Sequence, residues 1–167
     1  AYTQGLVFDQ GQFYESTGLR GESSLRLVDP QSGDVLHRID IAPPYFAEGL
    51  ALVGDRLIQL TWQENVAFVY DRDTFEQVGT YDYEGEGWGL CYDGQHLYMS
   101  DGTPVIDIRD PETFEVLHRG QVLLNGLPVP RLNELECVGD YLYANVWQTD
   151  MILQIDKSNG AVIAVID

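Results

Sequence analysis

The chain is poor in positive charge. Lys157 is its only lysine in 167 residues, and eight arginines stand singly against 27 acids, for a formal net charge of −18. A surface that binds nucleic acid needs clustered Lys and Arg to displace counterions, so nucleic acid is excluded as a partner, and an anionic membrane would repel the chain. The acids are read as a solubility coat, not as a clue to function. The two cysteines, Cys91 and Cys137, lie in no paired ligand motif and near no histidine, which argues against structural zinc. Two free, buried thiols are expected, with a bridge between them left open. No apolar run approaches the roughly 18 to 20 residues needed to span a bilayer. The opening "AYTQGLVFDQ" has neither the basic start nor the apolar stretch of a signal peptide, so any export signal has been removed or never existed, and the compartment stays open. Helical periodicity is lacking throughout.

What the chain has in abundance is turns, strand formers and self-similarity. It carries 17 Gly, ten Tyr and three Trp, and 44% of its residues are hydrophobic, enough for one β-rich domain with a sizeable core. A frame x-Gly-Leu recurs as "QGL" from Gln4, "EGL" from Glu48 and "WGL" from Trp88, with the variant "NEL" from Asn133. Nine residues after each Gly, or after Glu134 in the variant, stand Tyr14, Ile58, Tyr98 and Tyr143. A third alternating segment follows in each copy and closes on Asp ("LRLVD", "AFVYD", "VIDIRD", "ILQID"), and a fourth comes after a short turn.

Segments of this length, alternating and bounded by Gly, Asp and Pro, are strands. Four short strands in each of four repeats predict an all-β fold of β-propeller type, in which each blade buries its faces against its neighbours. The repeats fall at about 3–41, 46–83, 87–122 and 132–167 of a single domain. A sandwich with accidental similarity is the alternative. His37 and His118 occupy matching places on the fourth strands and belong to the scaffold, while His96 follows the turn "DGQH" and is read as a solvated turn residue.

A repeat keeps its frame for packing, so the slots where copies disagree are where function can sit. The slot before the Gly holds Gln4, Glu48, Trp88 and Asn133, a set that no core requires. On the first strand of a blade these would line a propeller's channel. Folding each first hairpin about its turn pairs Glu48 approximately with Thr61, beside Trp62, and Asn133 with Val146, beside Trp147. One face should then gather Glu48, Gln59, Trp62, Trp88, Asn133 and Trp147, with Gln4, Glu15 and Asp101 nearby. Aromatic walls around a few polar groups describe a pocket for a small molecule or a peptide end. A carboxylate walled by indoles is desolvated and titrates nearer neutrality, which suits Glu48 to carrying a proton.

The segments "TQGL", "YESTGL", "YFAEGL", "QLTW", "FVYDRDTFE", "GEGWGL", "SDGT", "RLNELE" and "NVWQTD" together resemble the plant and bacterial glutamine cyclotransferases, in that family's order and over the whole chain. The resemblance implies a metal-independent transferase without cofactor that closes the N-terminal Gln of peptides or proteins to pyroglutamate and releases ammonia. It implies Glu48 as acid/base, with Gln4, Gln59, Trp62, Trp88, Asn133 and Trp147 binding substrate. Asn133 and Gln59 would donate to the developing oxyanion. It also implies a secreted or periplasmic location and a propeller of five blades, of which four repeats are visible here; the fifth is missing, and Ala47 stands where Gly is common. Two other readings carry different tests. A propeller that only captures peptide ends would bind a glutaminyl peptide without releasing ammonia, and a calcium-dependent lactonase using Glu48 and Asn133 would fail in chelator. The sequence does not fix the oligomeric state.

Overall fold

The computed structural model describes residues 1–167, and every regular element is a strand. The first antiparallel sheet runs β1 (Tyr2–Asp9), β2 (Gln12–Gly18), β3 (Ser24–Val28), β4 (Val35–Asp40); the second runs β5 (Ala47–Val53), β6 (Arg56–Thr61), β7 (Val66–Asp71), β8 (Gln77–Asp82). The third comprises β9 (Leu90–Tyr92), β10 (Leu97–Ser100), β11 (Val105–Arg109) and β12 (Val116–Gln121). A small hairpin, β13 (Leu123–Leu124) with β14 (Leu127–Pro128), precedes the fourth: β15 (Leu132–Val138), β16 (Tyr141–Val146), β17 (Ile152–Asp156), β18 (Val162–Ile166). Strands follow one another in chain order within each sheet, the meander of a propeller blade. The fold is all-β with four blades of β-propeller type.

The chain divides into two compact units, Ala1–Gly87 with the first two blades and Trp88–Asp167 with the last two. In the first, Tyr14 and Leu25 of one blade meet Ala47, Leu50, Leu57, Phe68, Tyr70 and Phe75 of the next. In the second, Tyr98 and Ile106 meet Leu132, Leu135, Leu142, Leu153 and Ile155. Burial grades across each blade: β6 and β7 are almost wholly buried, whereas β4, β8 and β12 are mostly exposed. That gradient explains why the fourth strands of the first three repeats admit polar residues, whereas β18 is apolar throughout.

The Asp that closes each third strand builds the turn that follows. Asp29, Asp71 and Asp110 each accept, through Oδ1, the backbone N–H groups two and three residues on, and Asp156 accepts that of Ser158. These backbone bonds hold the first three carboxyls below their usual range, and at Asp156 the Ser158 hydroxyl does so first, with the backbone N–H second. The turn ends on a residue with positive φ, which is Gly33 and Gly160 in the outer copies but Phe75 and Phe114 in the middle two. A phenylalanine is strained there. Its ring is compensated by burial: Phe75 lies in the core and packs against Tyr14 and the His37 imidazole, ring centroids 6.2 and 4.7 Å away. His37 is therefore scaffold.

The cysteines depart from expectation. Cys91 on β9 and Cys137 on β15 form a disulfide across Cα atoms 5.6 Å apart. They sit at different offsets from their frame residues, two after Gly89 and three after Glu134, so their proximity arises only when the first strands of neighbouring blades pack together.

Candidate functional site

The slot that distinguishes the repeats is a β-bulge. In β1 the pairing steps from Thr3↔Thr17 to Gly5↔Ser16, leaving Gln4 as an extra residue. In β5 it steps from Ala47↔Thr61 to Leu50↔Gln59, and in β15 from Leu132↔Val146 to Leu135↔Ala144, so that Glu48 with Gly49, and Asn133 with Glu134, each face one residue. In the third blade Trp88 N–H donates to the Ser100 carbonyl at 3.0 Å while Ser100 N–H donates to Gly89 at 3.0 Å, again two residues against one. The pairing expected from sequence, Glu48 with Thr61 and Asn133 with Val146, is thus displaced by one residue. A bulge re-aims its side chain and releases its backbone from the ladder.

In the first unit Glu48 is 6% exposed. Burial comes first among the causes that push its carboxyl up to about 9, followed by the charges of Glu86 and Glu64. Its Oε1 lies 3.4 Å from the Gln4 amide nitrogen, which donates to it. Glu86 accepts from Trp62 Nε1 at 2.8 Å and from the Gln63 amide at 3.0 Å, and Glu64 pairs with Arg20 at 2.8 Å. Arg20 also stacks over the Trp62 ring, 5.4 Å from its centroid, and Phe46 meets that ring edge-on at 5.7 Å. The indole is thereby fixed on two sides.

Gln59 lies on β6 and is completely buried. Its amide nitrogen donates to Ser16 Oγ at 2.8 Å and to the Ser24 carbonyl at 3.3 Å, while its own oxygen has no hydrogen-bond partner. What Gln59 has to spare is an acceptor, so the oxyanion-donor role assigned from sequence does not suit its geometry. Glu15 is held by Thr3 Oγ1 at 2.7 Å and by Arg26 at 3.7 Å, and is not drawn to Glu48.

In the second unit Trp88 and Trp147 meet edge-on with centroids 5.6 Å apart, and Trp147 is 46% exposed. Trp147 N–H donates to the Arg131 carbonyl at 2.9 Å, as Trp62 N–H does to that of Phe46, which confirms that the two tryptophans occupy one slot of the repeat. Asn133 is half-buried at its bulge, and its carbonyl accepts from Ser100 Oγ at 2.6 Å. Asp101 instead caps a turn, accepting from Thr103 N–H at 2.9 Å and Oγ1 at 2.6 Å. His96 and His118 line an open groove of about 440 Å3 that also holds Lys157. Sequence reasoning missed Glu86, Glu64 and Ser16. Glu86 and Ser16 do lie inside recognised segments, "GEGWGL" and "YESTGL", but their contacts cross between strands or blades.

Four meandering blades with a buried carboxyl of raised pKa on a bulge define a β-propeller protein with a dry, protonatable group in its first unit. The chain belongs to the glutamine cyclotransferase family, whose model matches residues 1–167. It is 41% identical to a glutaminyl-peptide cyclotransferase of Arabidopsis thaliana over 98% of its length and 52% of that protein's, so it spans about half of the curated relative it matches. The crystal structure of Myxococcus xanthus glutaminyl cyclase is similar with a TM-score of 0.93 at 42% identity, covering the whole chain and 71% of the other. The Pan2 WD40 domain of Neurospora crassa shares the fold alone, with a TM-score of 0.67 at 14% identity over 98% of this chain and 51% of that one.

Proposed function

We propose that this chain carries the proton-transfer centre of a glutaminyl-peptide cyclotransferase, which closes the N-terminal Gln of a peptide to pyroglutamate and releases ammonia. The observation that carries the reading is Glu48: buried, on a bulge, and raised to about 9. Its slot and its segment "YFAEGL" are those that the family resemblance assigns to the acid/base.

Both reacting groups belong to one residue of the substrate, so the protein has mainly to hold the side chain curled. An α-amine of pKa about 7.7 to 8.0 is roughly one-tenth free at pH 7. Glu48 is then in its acid form, and the order of proton transfer follows. The amine attacks the γ-carbonyl, forming the ring C–N bond; Glu48 gives its proton to the amide nitrogen, whose C–N bond breaks to release ammonia. The carboxylate recovers a proton from the ring nitrogen and ends as it began. Gln4 hydrogen-bonds the Glu48 carboxyl and steadies it. In the first unit the spare Gln59 oxygen suits the α-amine N–H as an acceptor, and Trp62 offers aromatic surface. For the second unit the family resemblance assigns Asn133 as an oxyanion donor and Trp88 and Trp147 as substrate-binding. A Gln-initiated peptide incubated with the chain should release one ammonia per peptide, and its N-acetylated form, which lacks the free amine, should release none. Binding of the free peptide with no ammonia would reduce the protein to a peptide-end receptor.

A further inference from the structure

Ser16 on β2 and Ser100 on β10 stand eleven residues after their frame glycines, Gly5 and Gly89, and both are completely buried. Each reaches into the following blade of its own unit. Ser16 Oγ donates to the Glu48 carbonyl at 2.5 Å and Ser100 Oγ to the Asn133 carbonyl at 2.6 Å. A hydroxyl has one proton to give, and the other partners fix where it goes. Gln59 Nε2, 2.8 Å from Ser16 Oγ, and Gly89 N–H, 2.7 Å from Ser100 Oγ, are both donors, so each serine must spend its own proton on the bulge carbonyl. A bulge takes its backbone out of the ladder, and a buried carbonyl left without a donor costs about as much as a lost hydrogen bond.

The frame glycines bring the blades close enough for this reach. A Cβ on Gly5 would collide with the Leu50 backbone, and one on Gly89 with the Asn133 carbonyl. The blade itself does not demand a serine, because the same slot holds Leu60 in the second repeat and Asn145 in the fourth. The hydroxyl appears in the two blades that precede Glu48 and Asn133.

We propose that Ser16 and Ser100 are positioning residues: each clamps the bulge of the next blade and so sets the direction in which Glu48 and Asn133 leave their strands. The proposal rests on the activity proposed above, and its test separates the two. Ser16→Ala, Ser16→Thr, Ser100→Ala and Ser100→Thr are compared with the parent for ammonia release from a Gln-initiated peptide, thermal unfolding and amide hydrogen exchange. A misplaced acid costs chemistry, so Ser16→Ala should lower kcat by roughly 10- to 100-fold with KM within about twofold. Ser100→Ala should likewise lower kcat, by roughly tenfold with KM within about twofold, because a misplaced oxyanion donor weakens the transition state and not the bound substrate. Threonine keeps the donor and should restore each constant. Exchange should quicken at least about tenfold at Gly49 and Leu50 in the first alanine variant, and at Glu134 and Leu135 in the second, with β7 and β17 unchanged. Parent kinetics in both alanine variants, or kcat and KM changing together with the folded fraction, would overturn the proposal. A parent that releases no ammonia removes the activity reading alone; the clamp is then decided by exchange, which must quicken at both bulges or the proposal fails.

Discussion

The first unit and the second share one two-blade plan and attach different chemistry to it. Both have the frame glycine at the blade contact, a buried serine reaching across it, a bulge in the following blade and a tryptophan 14 residues after the bulge residue. The first unit places an acid on the bulge, dries it and surrounds it with further acids. The second places an amide there, adds a tryptophan pair and ties its blades with a disulfide. The serine-to-bulge hydrogen bond is common to both units, and the units differ in the one side chain that each bulge carries.

The largest break in the comparison should come at the bulge residue of the first unit. Glu48→Gln keeps shape and removes the proton, and should lower kcat for ammonia release by about 10²- to 10⁴-fold, measured with a Gln-initiated peptide. The same variant should alter stability in a set direction. A carboxyl raised from 4.5 to about 9 contributes stability that is fully present below its unfolded value and is lost as pH rises through its folded one. Glu48→Gln cannot ionise, so thermal scans from pH 5 to 9 should show its midpoint falling less than the parent's, each kcal/mol retained being worth about 2 to 4 °C at this chain length.

Next in size is a change that touches only the second unit. The disulfide closes a loop of 46 residues, for which loop entropy gives about 4 kcal/mol. The double variant Cys91→Ser, Cys137→Ser should lose that stability in denaturant unfolding, with exchange quickening in β9 to β18 and little changed in β1 to β8. A smaller effect is expected from Asn133→Ala, which removes one donor to the developing oxyanion: kcat should fall by roughly 10²-fold with KM little changed. The smallest is Glu86→Gln. Removing that charge lowers the Glu48 pKa, so the alkaline limb of the pH–rate profile should move to lower pH. Glu64→Gln should move it less, since Glu64 is the lesser cause and is paired with Arg20.

How much of this could be read from the sequence follows from where each signal lies. The four blades were legible because Gly-Leu frames, nine-residue spacings and strand-closing aspartates recur within single repeats. Glu48 and Asn133 stood out because their slot is the one in which the copies disagree. The bulges were not legible, since the extra residue lies before the frame Gly and leaves the spacing to Tyr14, Ile58, Tyr98 and Tyr143 intact. The disulfide, the Ser16 clamp and the pressure of Glu86 on Glu48 all join residues more than 30 positions apart, and depend on how neighbouring blades and loops pack. Gln59 was placed correctly on its strand, but which of its amide atoms is spare depends on Ser16 and Ser24.

The bulge carries Glu48 into a dry, acidic setting where it keeps its proton at neutral pH. A pH titration of its carboxyl carbon by NMR, assigned by difference from Glu48→Gln, tests this directly. A midpoint near 9 is predicted; a midpoint in the ordinary carboxylate range, near 4.5, would show a solvated, ionised group and contradict the account.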